Sequence, residues 1–298
     1  MIRVAQAACR AKLDSLSQQR CQLSDQAATI MGFSNLGETL MAVFTPLSDA
    51  QVAAFLEKFD VGSFVSLKGV AKRHRKFDFF CDYRPPQLVL TLFEQGEHAE
   101  LPFFVELLDY LDEHRLPVPG TIHDREGIAL HSLEGQAGVA IPAPAWPPSR
   151  GAQCSPVPCL RRYFGSPARG VKAFPGHRPN PRDLNWLQVM HHKVLSYLSP
   201  ADQTLMKDEV DDFESAFMRH GELPQGALHG DLFRDNTLFE GDQLGGIIDF
   251  YNGCTGDLLF DLAIVINDWA SNDDGTLNAE RYNTLLSAYL TRRPLTAG

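Results

Sequence analysis

The segment A-L-H-G-D-L-F-R-D-N-T-L-F at 227–239, followed by G-I-I-D-F-Y at 246–251, constrains this chain more than any other part of it. Ala227 to Gly230 reads as a short strand entering a polar loop. Thr237–Phe239 and Leu244–Phe250 flank Gly241-Asp242, a two-residue turn signal, and are predicted to pair as a hairpin. Such a hairpin brings Asn236, where it starts, and Asp249, where it finishes, to one end. Phosphoryl transfer needs a carboxylate near the attacking hydroxyl and oxygen ligands for Mg2+. Asp231 suits the first role, and Asn236 and Asp249 suit the second. His229 is placed to hold the loop by a backbone hydrogen bond. A lone Asp-x4-Asn would be an ordinary polar turn. His-Gly-Asp-x4-Asn followed by an apolar run ending in Asp is far more specific.

Composition narrows the remaining choices. A length of 298 residues exceeds one typical domain and predicts two lobes. Apolar residues at 44% and charged residues at 21% are those of a globular protein. A net charge of −10 argues against a nucleic-acid partner bound by broad phosphate neutralisation. No long uninterrupted apolar run predicts a membrane span. The six cysteines are scattered without Cys-x-x-Cys or metal spacing, and read as reduced thiols of a cytoplasmic protein.

Two stretches depart from their surroundings. From Gly135 to Arg182 there is no acidic residue in 48, and ten of the 19 prolines fall there. Lys68 to Lys76 packs five Lys/Arg and one His into nine residues. One reading is a Pro-rich linker and a basic loop. The other, favoured here, is out-of-frame translation over 70–86 and 137–172. With suitable codons the shifted frame permits Gly-Thr-Glu-Asn-Ser-Thr-Phe-Phe in the first stretch and Phe-Pro-Arg-Leu-Pro-Gly in the second. As printed, the sequence from 137 onward is expected to be unable to sustain a strand ladder.

The remaining elements follow from periodicity. Residues 1–40 are polar and read as an extension. Ser48 and Gln51 form a capping box for a helix to about Phe59. Strands are expected at 61–67, 87–94 and 127–133, with a helix from Leu101 to Arg115 stopped before Pro117. Helices are expected at 183–198, 201–220, 257–271 and 277–290.

These motifs resemble the aminoglycoside phosphotransferase and choline kinase superfamily. More closely, H-G-D-L-F-R-D-N-T-L-F, I-I-D-F-Y-N-G-C and D-L-A-I-V-I-N-D-W are similar to type II homoserine kinases, as are V-L-T-L-F-E and E-L-P-F-F-V-E-L-L-D-Y-L. The resemblance implies an α+β, protein-kinase-like two-lobed fold. Its nucleotide-binding lobe is expected over 41–145 and its catalytic lobe over 146–298, shortened at the C-terminus. It implies ATP and Mg2+ as cofactors and L-homoserine as the small-molecule substrate of a monomer. Asp231 is then the base, and Asn236 and Asp249 are the Mg2+ ligands. Glu106 takes the place of a kinase glutamate, and Thr91 stands where a kinase has its strand lysine. Asp261 is expected to brace the loop. Arg234, Tyr251, Asn267 and Asp268 could meet the amino and carboxylate groups of an amino acid, and Arg234 and Thr91 the nucleotide. Surface or capping roles serve equally for these. His191, His192 and His220 read as solvated helix residues, and Cys254 as packing. Two rivals stay open: another small-molecule kinase of the superfamily, and a catalytically dead relic.

Overall fold

Ser48 and Gln51 make their capping box. The Ser48 hydroxyl accepts the Gln51 N–H at 3.3 Å, and Gln51 Oε1 accepts the Ser48 N–H at 2.8 Å. They open α1 (Asp49–Leu56). The computed structural model describes residues 47–73, 76–82, 88–93, 98–142, 173–220, 223–240, 243–272 and 274–291. After α1 come β1 (Ser66–Arg73), β2 (Lys76–Asp82), β3 (Leu88–Phe93), α2 (Leu101–Glu113), β4 (Leu130–Leu133) and β5 (Gln136–Pro142). The five strands form one antiparallel sheet in the order β1-β2-β3-β5-β4.

The apolar run of β3 puts it in the middle of that sheet, with every residue buried. Leu88, Leu90 and Leu92 pack with Val52, Phe55 and Leu56 of α1. Alternation sends Val89, Thr91 and Phe93 to the other face. Helix α2 starts with a proline in its first turn and buries Leu101, Phe104, Leu108 and Leu111 along one stripe. It closes on Arg115, whose φ of 58° lets Leu116 N–H reach Leu111 O and Arg115 N–H reach Asp112 O.

Two sequence expectations are corrected in this sheet. The first strand begins at Ser66, not at 61, because Gly62 turns the backbone to a φ of 91° and the ladder starts at the Ser66–Asp82 pair. Residues from 137 do sustain a ladder as far as Pro142. They pair with β3 on one side and β4 on the other. The first proline of that stretch stands at the strand's last position, so Ala137 to Ile141 all keep their N–H groups. Likewise Ser66–Val70 and Lys76–Asp82 are laddered as printed. Residues 74–75, 83–87 and 143–172 of the two anomalous stretches lie outside the described residues, as do 1–46. The β4–β5 turn has left-handed Glu134 and Gly135, the two-residue form that matches strand twist.

The later elements are α3 (Leu184–Val194), α4 (Pro200–His220), β6 (Gln225–Leu228), β7 (Thr237–Glu240), β8 (Gln243–Ile247), β9 (Cys254–Asp257), α5 (Leu259–Trp269) and α6 (Ala279–Leu290). Strands β6 and β9 pair, as do β7 and β8. The His191 and His192 rings stack in the last turn of α3; the side chain of His220 lies outside the described residues. Among the described residues no helix is long and apolar enough to cross a membrane.

The chain divides into two compact units. The first lies within Leu40–Arg178 and Asp235–Tyr251, and the second within Pro179–Arg234 and Asn252–Gly298. The expected boundary at 145/146 differs from this division. The β7–β8 hairpin joins the first unit because Ile247 N–H donates to Pro117 O at 2.7 Å, and Phe174 joins it by packing on Phe103 and Tyr110.

Within the first unit, α2 is fastened to the loop that follows it. Asp109 accepts the Thr121 N–H at 2.9 Å, its hydroxyl at 2.6 Å and His123 Nε2 at 2.7 Å. His123 Nδ1 bonds Gly127 O at 2.9 Å. Two acceptors on one ring favour the imidazolium. The Gly127 carbonyl, chiefly, lifts His123 above its ordinary 6.5; burial opposes the rise and Asp109 reinforces it. A raised folded value means the fastening is fully present below the unfolded pKa and is lost as pH rises through the folded one. The melting temperature is therefore expected to fall by about 1–2 °C between about pH 6 and pH 8.5. His123→Gln should remove that part of the slope in a thermal scan across the same range.

Candidate active site

Strand β6 delivers the chain to His229. Its last residue, Leu228, is buried with Cys254 and Leu258, so the strand end is fixed and Cys254 serves as packing. His229 is fully buried, and its Nδ1 accepts the Asp231 N–H at 3.2 Å. A buried imidazole used in this way positions the loop. Gly230 has a φ of 75°, and a Cβ there would lie 2.4 Å from Asn252 O. Only glycine meets both demands.

The loop is held from below by Asp261 in the first turn of α5, which is 3% exposed. Its carboxylate accepts the His229 N–H at 2.8 Å and the Gly230 N–H at 2.9 Å. Charge-assisted bonds of this kind are about twice as strong as neutral ones. Asp231 follows directly and is half-buried. Phe233 N–H closes a tight turn onto Asp231 O at 2.8 Å.

Arg234 is paired. Its Nε and Nη2 donate to Asp268 at 3.1 and 3.3 Å, and its backbone N–H donates to the same carboxylate at 2.7 Å. Arg234 and Asp268, both read from sequence as possible ligand contacts, thus pair with each other. Asn267 lies half-buried on the same helix.

In the other unit, Asn236 is 1% exposed immediately before β7. Ile248 N–H donates to Asn236 O at 2.9 Å, and Thr237 pairs with Ile247. The start of β7 and the end of β8 therefore coincide, as expected, and Asp249 follows at once. The turn residues 241–242 lie outside the described residues. Asp249 has a φ of 72°, a left-handed conformation that aspartate tolerates better than most residues. Phe250 is buried behind it. Tyr251 packs edge-on against Phe93 at 4.9 Å and Phe104 at 5.9 Å, so its ring belongs to the aromatic packing between β3 and α2. That packing was missed from sequence, because nothing in the spacing of Phe93, Phe104 and Tyr251 shows that they meet. Asn236 and Asp249 offer hard oxygen donors from one end of one hairpin, which fits Mg2+ completed by water and phosphate oxygens.

Thr91 is 1% exposed, on the same face of β3 as Phe93. Glu106 lies exposed on α2. It makes no ion pair among the described residues.

The described fold and loop are those of a phosphotransferase, and comparison with known proteins agrees. The model of the phosphotransferase enzyme family matches residues 76–295. The chain belongs to that family. It is 39% identical over 260 residues to the homoserine kinase of Pseudomonas aeruginosa strain LESB58, covering 86% of this chain and 81% of the relative. It is 34% identical over 263 residues to the homoserine kinase of Neisseria meningitidis serogroup B, covering 86% and 84%. These relatives place it in the homoserine kinase branch of the family. Solved structures at much lower identity share the α+β, kinase-like fold. Amicoumacin kinase, in complex with AMP-PNP, Ca2+ and Ami, gives a TM-score of 0.63 at 13% identity, covering 83% of this chain and 77% of that one. A choline/ethanolamine kinase family protein from Mesorhizobium loti gives 0.56 at 19% identity, covering 82% and 74%.

Gly230→Ala is expected to cost more than about 2 kcal/mol, because it adds a left-handed penalty to an overlap with backbone. Chemical denaturation measures that loss. Asp261→Asn keeps the volume but halves the acceptor strength, and should cost about 1.5–3 kcal/mol in the same assay.

Proposed function

We propose that this protein transfers the γ-phosphoryl group of ATP to the hydroxyl of L-homoserine, giving O-phospho-L-homoserine and ADP on the route to threonine. The observation that carries the reading is the held loop: Asp261 fixes both amides ahead of Asp231, so the carboxylate is presented on a rigid support. The named relatives favour homoserine over other acceptors.

In this reading Asp231 orients the substrate hydroxyl and takes its proton as the bond to phosphorus forms and the bond to the β-phosphate oxygen breaks. Asn236 and Asp249 hold Mg2+. Bound there, the ion neutralises charge on the phosphate oxygens. His229 keeps the loop in register. Thr91 gives β3 a neutral group where a kinase has a lysine, so Thr91 contributes no charge toward the nucleotide. Glu106, exposed and unpaired among the described residues, and Arg234, paired with Asp268, are given no nucleotide role. Binding and positioning supply most of the catalysis in this chemistry.

The test is ADP release by the purified chain with homoserine, choline and kanamycin offered separately. Turnover of homoserine alone is expected. Turnover of choline or kanamycin with none of homoserine would transfer the activity to another small-molecule kinase. Absence of turnover, together with no rise in melting temperature on adding Mg-ATP, would mark a dead relic. Asp231→Asn should lower kcat by about 100- to 10,000-fold with a smaller change in KM for ATP. Asp249→Asn should raise the Mg2+ concentration needed for half-maximal rate.

A further inference from the structure

Helix α5 carries two carboxylates seven residues apart, Asp261 and Asp268. Seven residues is nearly two full turns, so both project within about 20° of one line along the helix. Asp261 takes the N–H groups of His229 and Gly230. Asp268 takes the backbone N–H and two guanidinium nitrogens of Arg234. The six-residue loop 229–234 is thus fastened at both ends to one helix, with Asp231 between the fastenings. The helix is itself anchored, since Leu262, Val265, Ile266 and Trp269 are buried.

We propose that the Arg234–Asp268 pair is a second clasp that sets the rate of phosphoryl transfer by holding Asp231 in place, and that Arg234 is a positioning residue and not a ligand of nucleotide or amino acid. The inference rests on Asp231 being the base. The pair has the geometry for the task. The guanidinium fork meets both carboxylate oxygens, and Asp268 Oδ2 also serves the Arg234 main chain. The side chain of Asp268 is 18% exposed, whereas that of Arg234 is 56% exposed. An ion pair so open to water contributes little to global stability. Its effect is therefore expected in the rate and not in the melting temperature.

The three contacts give graded predictions. Arg234→Ala removes the fork but leaves the backbone contact. Asp268→Ala removes all three. Asp268→Asn keeps an oxygen for the backbone N–H and guards against a fold failure in the alanine variant. Loop displacements of about 1 Å cost rates of order 100-fold. On that scale kcat is expected to fall about 3- to 10-fold for Arg234→Ala, about 10- to 100-fold for Asp268→Ala, and by an intermediate factor for Asp268→Asn. KM for ATP and for homoserine should stay within about 2-fold, because no ligand contact is lost.

A rise of about 10-fold or more in either KM with kcat preserved would make Arg234 a ligand and overturn the proposal. Asp231→Asn, measured beside them, separates the two layers. If it abolishes turnover while Asp268→Ala and Asp268→Asn run at the wild-type rate, the clasp fails and the base stands. If it keeps wild-type turnover, the base assignment fails and the clasp falls with it.

Discussion

The buried carboxylate of Asp261 is the contact on which the site depends. Two consecutive backbone N–H groups, those of His229 and Gly230, point into the protein and donate to this carboxylate. Left unpaired, each would carry a desolvation cost of about 1–3 kcal/mol. One carboxylate in the first turn of α5 accepts both. The same helix turn places it near the positive end of the α5 dipole, which favours its charge. The conformation of the loop follows from this. Gly230 must be left-handed for both amides to converge, and it must lack a Cβ because Asn252 O stands where one would be. Asp231 then leaves the loop in a direction set by groups that do not take part in the chemistry.

The hairpin reaches its end by a different device. Its two strands pair up to Thr237 and Ile247, and the Ile248 amide closes on Asn236 O. The chain then turns sharply at Asp249 through a left-handed residue that is not glycine. Such a residue persists only where its surroundings hold it. Here Phe250 is buried and Tyr251 is gripped by Phe93 and Phe104. The strained corner is thus paid for by apolar packing immediately downstream.

Much of this was legible in the sequence. The capping box at Ser48, the apolar stripe of α2 and the hairpin after Asn236 all announce themselves through local spacing, because each depends on contacts between residues close in sequence. The pairing of Asp261 with the loop could be anticipated from the F-D-L-A segment. What could not be read were contacts between residues far apart. Tyr251 meeting Phe93 and Phe104, and Asp268 meeting Arg234, have no local signature. Proline content misled over 137–142, where the strand uses the last residues before the prolines begin. Charge and proline counts report on composition, whereas a ladder depends on which individual N–H groups are present.

The account stands or falls on the rigidity of the loop that carries Asp231. Amide hydrogen exchange of His229, Gly230 and Arg234 in the unliganded protein tests it most directly. If α5 holds the loop at both ends, these three amides exchange as slowly as those of β6 and the interior of α5, and open only with the unit as a whole. Exchange at the rate of an exposed turn, with β6 and α5 still protected, would show that the carboxylates do not fix the loop and would contradict the account.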